Sequence, residues 1–271
     1  MNKPNYCFMP LLARPYPILT SGSCVTRLIL GLTFLLSSAA TATPHFPEDD
    51  PGDAALSSEI PHIPEPMVFD LVRPLGVRQG DAEVNTLVSH SFRKGHTEWA
   101  PEFEFGFLDN YAIEFELPFD NLSLSEYKLG LQGTIGTLFG NHFIHGWQVL
   151  FQHDRHNKEY SADFLYLAGY RWNTGISTFN MAGVRRDDFE RDGKFVGVFN
   201  TSWFYDYSEQ LTVGIELNNE FEERGHWNYR LTPQIHWDFT QNTTLQLGVG
   251  VSQKNGKDTD WSGTWRLVYA F

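Results

Sequence analysis

The feature that most constrains this chain is an alternation of apolar and polar residues with a period of two, which runs from about residue 81 to the last residue. Side chains of a strand point alternately to opposite faces, so this pattern predicts β-strands. The last segment alternates without interruption, with apolar residues on one face and polar residues on the other (Trp261, Gly263, Trp265, Leu267, Tyr269 and Phe271 against Ser262, Thr264 and Arg266). No stretch keeps helical spacing for more than about two turns. The chain is therefore predicted to be all-β.

Twelve alternating segments are predicted, at about 82–92, 97–107, 111–117, 126–138, 143–153, 160–172, 175–185, 194–205, 210–218, 226–238, 243–253 and 260–271. Short turns at 108–110, 173–174, 206–209 and 239–242 alternate with longer charged connections. Two-faced strands of this length, joined in this way, are typical of a transmembrane antiparallel up-and-down β-barrel. The facing is ambiguous in 143–153 and 175–185, so ten or fourteen strands are alternatives. A soluble β-sandwich is a further alternative, because alternation alone does not separate the two folds.

The N-terminal residues favour an exported protein. Residues 27–42 read RLILGLTFLLSSAATA, which is a base followed by an apolar run and then by small residues. This order is typical of a signal peptide, here with cleavage after Ala42, and the run is shorter than the roughly 20 residues of a membrane-spanning helix. We predict a signal peptide at 1–42, a flexible periplasmic leader at 43–66 and an outer-membrane β-barrel at 67–271. Met9 is an alternative start, and a plug is the alternative for the leader.

Cysteine usage and charge narrow the compartment and the partners. Cys7 and Cys24 both precede the predicted cleavage site, so the mature chain would have no cysteine, which is consistent with an oxidising compartment. Removing residues 1–42 takes three bases and no acid, so the formal charge falls from −13 to −16. So acidic a chain argues against nucleic acid as a partner. The predicted location is the cell outer membrane, with its lipid and lipopolysaccharide as partners of a monomer.

The C-terminal octet TWRLVYAF resembles the signal by which the barrel-assembly machinery recognises outer-membrane proteins. The resemblance consists of alternating hydrophobic residues that end in a terminal phenylalanine. It implies a membrane-insertion signal formed by Trp265, Leu267, Tyr269 and Phe271, and makes the assembly machinery a predicted partner.

The densest polar group is a set of four glutamates in EFEFGFLDNYAIEFEL, namely Glu102, Glu104, Glu114 and Glu116. Alternation places them on one face of a hairpin, side by side and facing the lumen. Such charges repel one another unless a cation or a base lies nearby. Candidate partners on inward positions are Lys128, Arg171, Arg185, Arg230 and Arg266, and Glu216 adds a further acid. The cluster is either an ion-pair network that makes the barrel rigid or a charged constriction that selects solutes.

The sequence offers little support for an enzyme. There is no Gly-x-Ser-x-Gly motif and no metal-ligand motif, and the histidines are scattered over predicted strand ends and loops. His153, Asp154 and His156 are close in sequence, but solvated loop residues are the more ordinary interpretation. We therefore predict no catalytic residue, no metal and no cofactor, and a lipid hydrolase is less favoured than a channel.

The segment PEFEFGFLDNYAIEFELPF, Pro101 to Phe119, resembles a unit of the outer-membrane family named for the meta-cleavage pathway of phenol degradation, the MetA-type proteins. That resemblance implies a barrel that transports small, often hydrophobic, compounds. The prediction is therefore an outer-membrane channel or transporter for a small solute. The alternative is a structural or surface-interaction barrel with a plugged lumen.

Overall fold

The computed structural model describes residues 60–173, 175–189, 193–257 and 259–271. The predicted signal peptide and residues 43–59 of the predicted leader lie outside these ranges. Fourteen strands follow one another along the chain: β1 Ala82–Ser91, β2 His96–Leu108, β3 Tyr111–Glu116, β4 Phe119–Asp120, β5 Ser123–Leu124, β6 Glu126–Leu138, β7 Phe143–Asp154, β8 Tyr160–Asn173, β9 Ile176–Arg186, β10 Phe195–Ser208, β11 Leu211–Phe221, β12 Trp227–Thr240, β13 Thr243–Lys254 and β14 Asp260–Ala270. A 3-10 helix, Glu223–Gly225, is the one helical element in these ranges, and no helix there is long and apolar enough to cross a membrane.

The sheet closes on itself. Each long strand pairs antiparallel with the next, and β1 pairs with both β2 and β14, from Glu83–Ala270 to Ser91–Ser262. The two-residue strands β4 and β5 form a small hairpin, in which β4 pairs with β2 beyond the end of β3. Twelve long strands therefore form a closed antiparallel barrel, as predicted, and the segments 143–153 and 175–185 are both strands of it.

The connections define two ends of the barrel. At one end, called the turn end, the strands are joined by two to four residues, as between Leu108 and Tyr111 or between Thr240 and Thr243. At the other, called the loop end, the connections have four to eight residues or contain the β4–β5 hairpin, and they include residues 187–194 and 255–259. Short turns on one side and longer loops on the other are typical of outer-membrane barrels.

The outer surface of the barrel is apolar. Phe103, Phe115, Leu129 and Phe151 lie opposite one another on β2, β3, β6 and β7, and each side chain is nearly half exposed. Aromatic side chains also pack in pairs near the rims, as Trp237 does with Phe239 at a centroid distance of 4.2 Å. A continuous exposed belt of this kind is unfavourable in water and matches the hydrocarbon of a membrane.

The lumen is occupied by residues 60–80, which we call the lumen segment. At the turn end the backbone of Val77 accepts a hydrogen bond from Asn110 at 2.7 Å, whereas Met67 and Val68 reach Glu216 in the middle of β11. The segment therefore runs up from the turn end, reverses near residues 67–70 and returns to β1. Residues 60–66 of the predicted leader continue directly into residues 67–80 inside the barrel, and the domain boundary at Pro66 stays a prediction.

The lumen segment packs its apolar side chains against one half of the inner wall. Its buried residues join inward-facing apolar residues of β7 to β10 in a single cluster (Ile63, Phe69, Leu71, Val72, Leu75 and Val77 with Ile144, Leu150, Leu165, Leu167, Phe179, Met181, Val198 and Phe204). The hydrophobic core of this barrel therefore lies inside the lumen, on one side. The opposite half of the inner wall is charged.

Candidate functional site

The four glutamates of the sequence prediction lie side by side on the inner wall. Glu102 pairs in register with Glu116, and Glu104 with Glu114, across the β2–β3 hairpin. Glu104 and Glu114 are buried to 0% and 1% exposure. With Glu83 on β1, these residues form what we call the acidic wall. The structure places these side chains in the lumen, whereas a role in selecting solutes stays a prediction.

Arg266 is the centre of the first ion-pair cluster. Its guanidinium lies 3.4 Å from a carboxylate oxygen of Glu102 and 3.3 Å from one of Glu104, and it donates to Asn85 Oδ1 at 3.1 Å. It also pairs with Glu65 of the lumen segment. One buried base on β14 therefore joins the acidic wall to the segment that fills the lumen.

Lys128 and Arg73 make the other connections between the wall and the lumen segment. The ammonium of Lys128 pairs with Asp70 of the segment and with Glu116 of the wall. Arg73 of the segment pairs with Glu83 and lies 3.6 Å from Glu104. Three charges of the lumen segment, Glu65, Asp70 and Arg73, thus belong to the site, and the sequence analysis missed them because they lie in a region without periodicity.

Within the part of the chain that the structure describes, the Glu114 carboxylate of the wall has no hydrogen-bond or ion-pair partner. Glu114 Oε1 is buried without a hydrogen bond, and carboxylate oxygens of Asp70, Glu114 and Glu116 lie within 4.8 Å of one another. That spacing would suit a cation. The ammonium of Lys128 already bonds two of these three carboxylates, so the base supplies the positive charge.

Glu216 holds the tip of the lumen segment through the backbone. Its carboxylate accepts hydrogen bonds from the amides of Met67 and Val68 at 3.1 and 3.0 Å. Asn218 Nδ2 and Gln234 Nε2 donate to it at 3.0 and 3.2 Å. A buried carboxylate without a base beside it is stabilised by such donors.

The remaining basic candidates serve different parts of the barrel. Arg171 lies at the turn end, 2.6 Å from Asp206, and donates to the carbonyl of His62. Arg185 bonds Asp163 and Glu220 at 2.8 Å each. Among the described residues, Arg230 instead donates to hydroxyl groups, those of Ser89, Ser262 and Thr264 (3.2, 3.3 and 2.5 Å).

The lumen segment divides the open space of the barrel. A cavity of about 420 Å³, which we call the vestibule, lies on the loop side and has Val68 and Asp70 in its lining. A second space of about 350 Å³ lies on the turn side, next to Ile60, Gly76 and Val77. The smaller cavity between them, of about 170 Å³, is lined by residues 67–71 together with Glu102, Glu116, Lys128 and Arg266. The two larger spaces are therefore separated at the level of the charged cluster.

The residues of the predicted insertion signal lie on the outer face of β14 and just beyond it. Trp265, Leu267, Tyr269 and Phe271 are all exposed on the side that would meet lipid. This orientation agrees with the alternation in the sequence, and recognition by an assembly machinery stays a prediction.

The closed barrel, its apolar exterior and its filled interior, which is apolar on one side and charged on the other, define the class of this protein, which is an outer-membrane β-barrel with a porin- or channel-like fold. Solved structures support this class. The NanC porin superposes with a TM-score of 0.60 at 7% identity, over 69% of this chain and 98% of that one. The KdgM porin in complex with disordered oligogalacturonate gives 0.55 at 9% identity, over 70% and 99%. The COG4313 outer-membrane channel from Pseudomonas putida F1 gives 0.51 at 13% identity, over 75% and 100%.

Sequence comparison adds one finding. A family model described as HAEPLYID-like matches residues 58–133, a range that contains the lumen segment and the acidic wall and ends within β6. No curated protein matches the sequence significantly. At these identities the solved structures show the fold of the chain and leave its solute to be inferred from its own residues.

Proposed function

We propose that this protein is a gated outer-membrane channel for a small polar solute, and that the lumen segment is its gate. The observation that carries the proposal is the division of the lumen into a loop-side and a turn-side space by residues 60–80. A passage exists only when that segment moves. This proposal retains the sequence prediction of a channel for a small solute and adds a gate to it.

The way in which the gate is held supports this proposal. Several of its amides donate to side chains of the wall, for example Val72 to Gln148 Oε1 at 2.9 Å and Gly76 to Thr134 Oγ1 at 2.8 Å. The backbone amides and carbonyls of the barrel strands, by contrast, bond to one another in a closed ring of strand pairs, which we call the ladder. Residues 67–76 can therefore leave without breaking the ladder, because the amides of Met67, Val72 and Gly76 bond to side chains that water or a solute can also satisfy.

The lining of the lumen favours a polar solute over the hydrophobic one that the MetA-type resemblance implies. The vestibule is lined mainly by hydroxyl, amide and charged side chains, and the cavity below it by the charged cluster. That family resemblance stays a prediction, since the family model that matches is a different one. We propose no enzymatic activity, in line with the porin and channel descriptions of the similar folds.

A reversible disulfide tests the gate. A β-carbon added at Gly130 would meet Val72 Cγ2, so Val72→Cys/Gly130→Cys places two thiols within bonding reach. With Cys7 and Cys24 in the predicted signal peptide, the mature chain has no competing thiol. We expect the oxidised variant to be silent in planar bilayers and the reduced one to conduct in bursts, because only the reduced gate can leave the wall.

A variant that lacks two charges of the gate should open it, whereas the disulfide should lock it. Glu65→Gln/Asp70→Asn removes the gate's partners for Arg266 and Lys128, so its open fraction should exceed that of the wild type. Glu209→Gln, in an exposed turn, is the matched control. The reversal potential in a salt gradient should show a cation preference that reflects the acidic wall. Silence of every variant, the reduced one included, would refute a channel and favour the structural barrel.

A further inference from the structure

Arg230 is an inward-facing arginine without a carboxylate beside it. The lumen bases Arg73, Arg185, Arg266 and Lys128 each form ion pairs at close range. In the described ranges, the bonds of Arg230 go from one terminal nitrogen, Nη2, to three hydroxyl groups, and its Nε is buried without a partner. A guanidinium that is largely removed from water is usually paired with an anion, so this partly buried one has unused capacity for a negative group.

The neighbouring strand leaves specific room for the side chain of Arg230. The side chain lies across β13 to reach β14 and β1, and it does so over Gly250. A β-carbon added at Gly250 would lie 3.0 Å from Arg230 Nε and 3.0 Å from Ser262 Oγ. The glycine therefore leaves the room in which the guanidinium lies against its hydroxyl partners.

The surroundings of Arg230 differ from those of the acidic wall. Arg230 lines the vestibule, and the carboxylates there are occupied: Asp70 by Lys128, Glu220 by Arg185, and Asp260 by Ser91 and Lys94. Glu98 lies beside His96, at 3.5 Å. The vestibule lining thus has four bases and four acids, whereas the wall below has a surplus of carboxylates, and Arg230 is one of the vestibule bases with which no described carboxylate forms an ion pair.

We propose that Arg230, together with Ser89, Ser262 and Thr264, forms a binding site in the vestibule for the carboxylate group of a small organic anion. The guanidinium supplies charge, its Nη1 has no bond to a described residue and can donate to a carboxylate, and the hydroxyl groups that accept from Nη2 fix the orientation of the guanidinium. The cavity of about 420 Å³ is in the range of small-molecule sites. An anion reaches it from the loop end without passing Glu102 or Glu116. The site goes beyond the proposed gating and does not require passage.

Equilibrium binding to the full mature chain, refolded in detergent, tests this site. The probe is N-acetylglycine and its control is N-acetylglycinamide, which differs only in lacking the carboxylate. We expect calorimetry to detect binding of the acid, weakened by added salt, and no binding of the amide. Arg230→Gln should lower the affinity at least about tenfold, which corresponds to the loss of a charged hydrogen bond. Gly250→Ala should also weaken binding, because it displaces the guanidinium.

Control variants separate the site from general effects of charge and folding. Arg155→Gln removes an exposed base of the loop end that does not line the vestibule, and it should bind as the wild type does. Arg230→Lys should retain part of the affinity, and heat-modifiable electrophoretic mobility checks that each variant is folded. Equal binding of the amide, unchanged binding by Arg230→Gln or the absence of binding to the wild type would overturn the proposal. None of these results depends on conductance, so the proposed gate and the proposed binding site can be refuted independently of each other.

Discussion

Arg266 donates to or pairs with groups from three parts of the chain: Glu65 of the lumen segment, Asn85 of β1 and the Glu102–Glu104 pair of β2. The side chain is almost fully buried, so its charge is compensated by protein groups and hardly by water. Removing one member of such a cluster leaves the others charged and unpaired in a low-dielectric environment. Most of the cost therefore lies in the residues that stay behind.

The substitution Arg266→Met should lower the free energy of unfolding by about 3–5 kcal/mol. The physical reason is that three carboxylates lose their base while the methionine keeps most of the volume. Guanidinium unfolding of the refolded barrel in lipid vesicles, followed by tryptophan fluorescence, measures the change. Arg155→Met, at an exposed base, should have an effect below about 1 kcal/mol, and an equal loss in both variants would contradict the assignment.

How much of the site was predictable also differs from residue to residue. Alternation alone was enough to place the inward-facing side chains of Glu104, Glu114, Lys128 and Arg266. It gave no access to Glu65, Asp70 or Arg73, because a segment without period two carries no information on facing. The lack of a carboxylate beside Arg230 was equally invisible, since a missing neighbour depends on the register of three other strands.

Among the elements, β7 and β9 explain the main ambiguity of the sequence. Their inward positions include Ile144 and Leu150 on β7 and Phe179 and Met181 on β9, all of which pack in the lumen cluster. Both faces of these strands are therefore partly apolar, and the contrast between inside and outside is lost. The loss of contrast between the two faces indicates in turn that something fills the barrel. Apolar side chains on an inner wall need an apolar partner inside the barrel, which here is the lumen segment.

The β6–β7 pair contains a close contact on the lipid-facing side. Gly133 lies opposite Trp147, and a β-carbon added to the glycine would lie 2.6 Å from the indole ring. An aromatic ring that covers a strand glycine is a recognised device for stabilising a curved sheet. The ring therefore fills the space that Gly133 leaves at the surface of the barrel.

Gly133→Ala should destabilise the barrel by about 1–3 kcal/mol, because the indole must move from its position. Its matched control is Gly197→Ala in β10, where the nearest atom to an added β-carbon is 3.7 Å away, which is an ordinary contact. Unfolding midpoints of the two variants in guanidinium, followed by total tryptophan fluorescence, measure the difference. Equal midpoints for both variants and the wild type would show that Trp147 adapts freely.

At the scale of the whole molecule, the ladder and the lumen segment form two layers, and the amides of the two layers have different hydrogen-bond acceptors. The ladder amides bond to backbone in a closed ring, whereas those of Met67, Val72 and Gly76 bond to side chains. Local opening of the second kind does not require the ring to unfold. The two layers should therefore open with different free energies.

Hydrogen exchange followed by mass spectrometry should show this difference in the native protein. Peptides from residues 60–80 are expected to exchange faster than peptides from β6 and β11, although both are shielded from solvent. The oxidised Val72→Cys/Gly130→Cys variant serves as the control, and its segment should exchange at a rate closer to that of the strands. Equal protection of segment and strands in the wild type would mean that the two layers open together.

The closure between β1 and β14 has a consequence for the order of assembly. The lumen segment comes immediately before β1, yet its bonds reach Glu216 and Arg266, which are 149 and 201 residues away from Met67 and Glu65. Contacts between residues so distant in sequence are expected to form late in folding. Because β1 and β14 are the first and last strands and pair with each other, the ladder closes only when the whole sequence of strands is in place. The lumen segment is therefore expected to complete its contacts as the last step of assembly, when Arg266 on the closing strand meets Glu65.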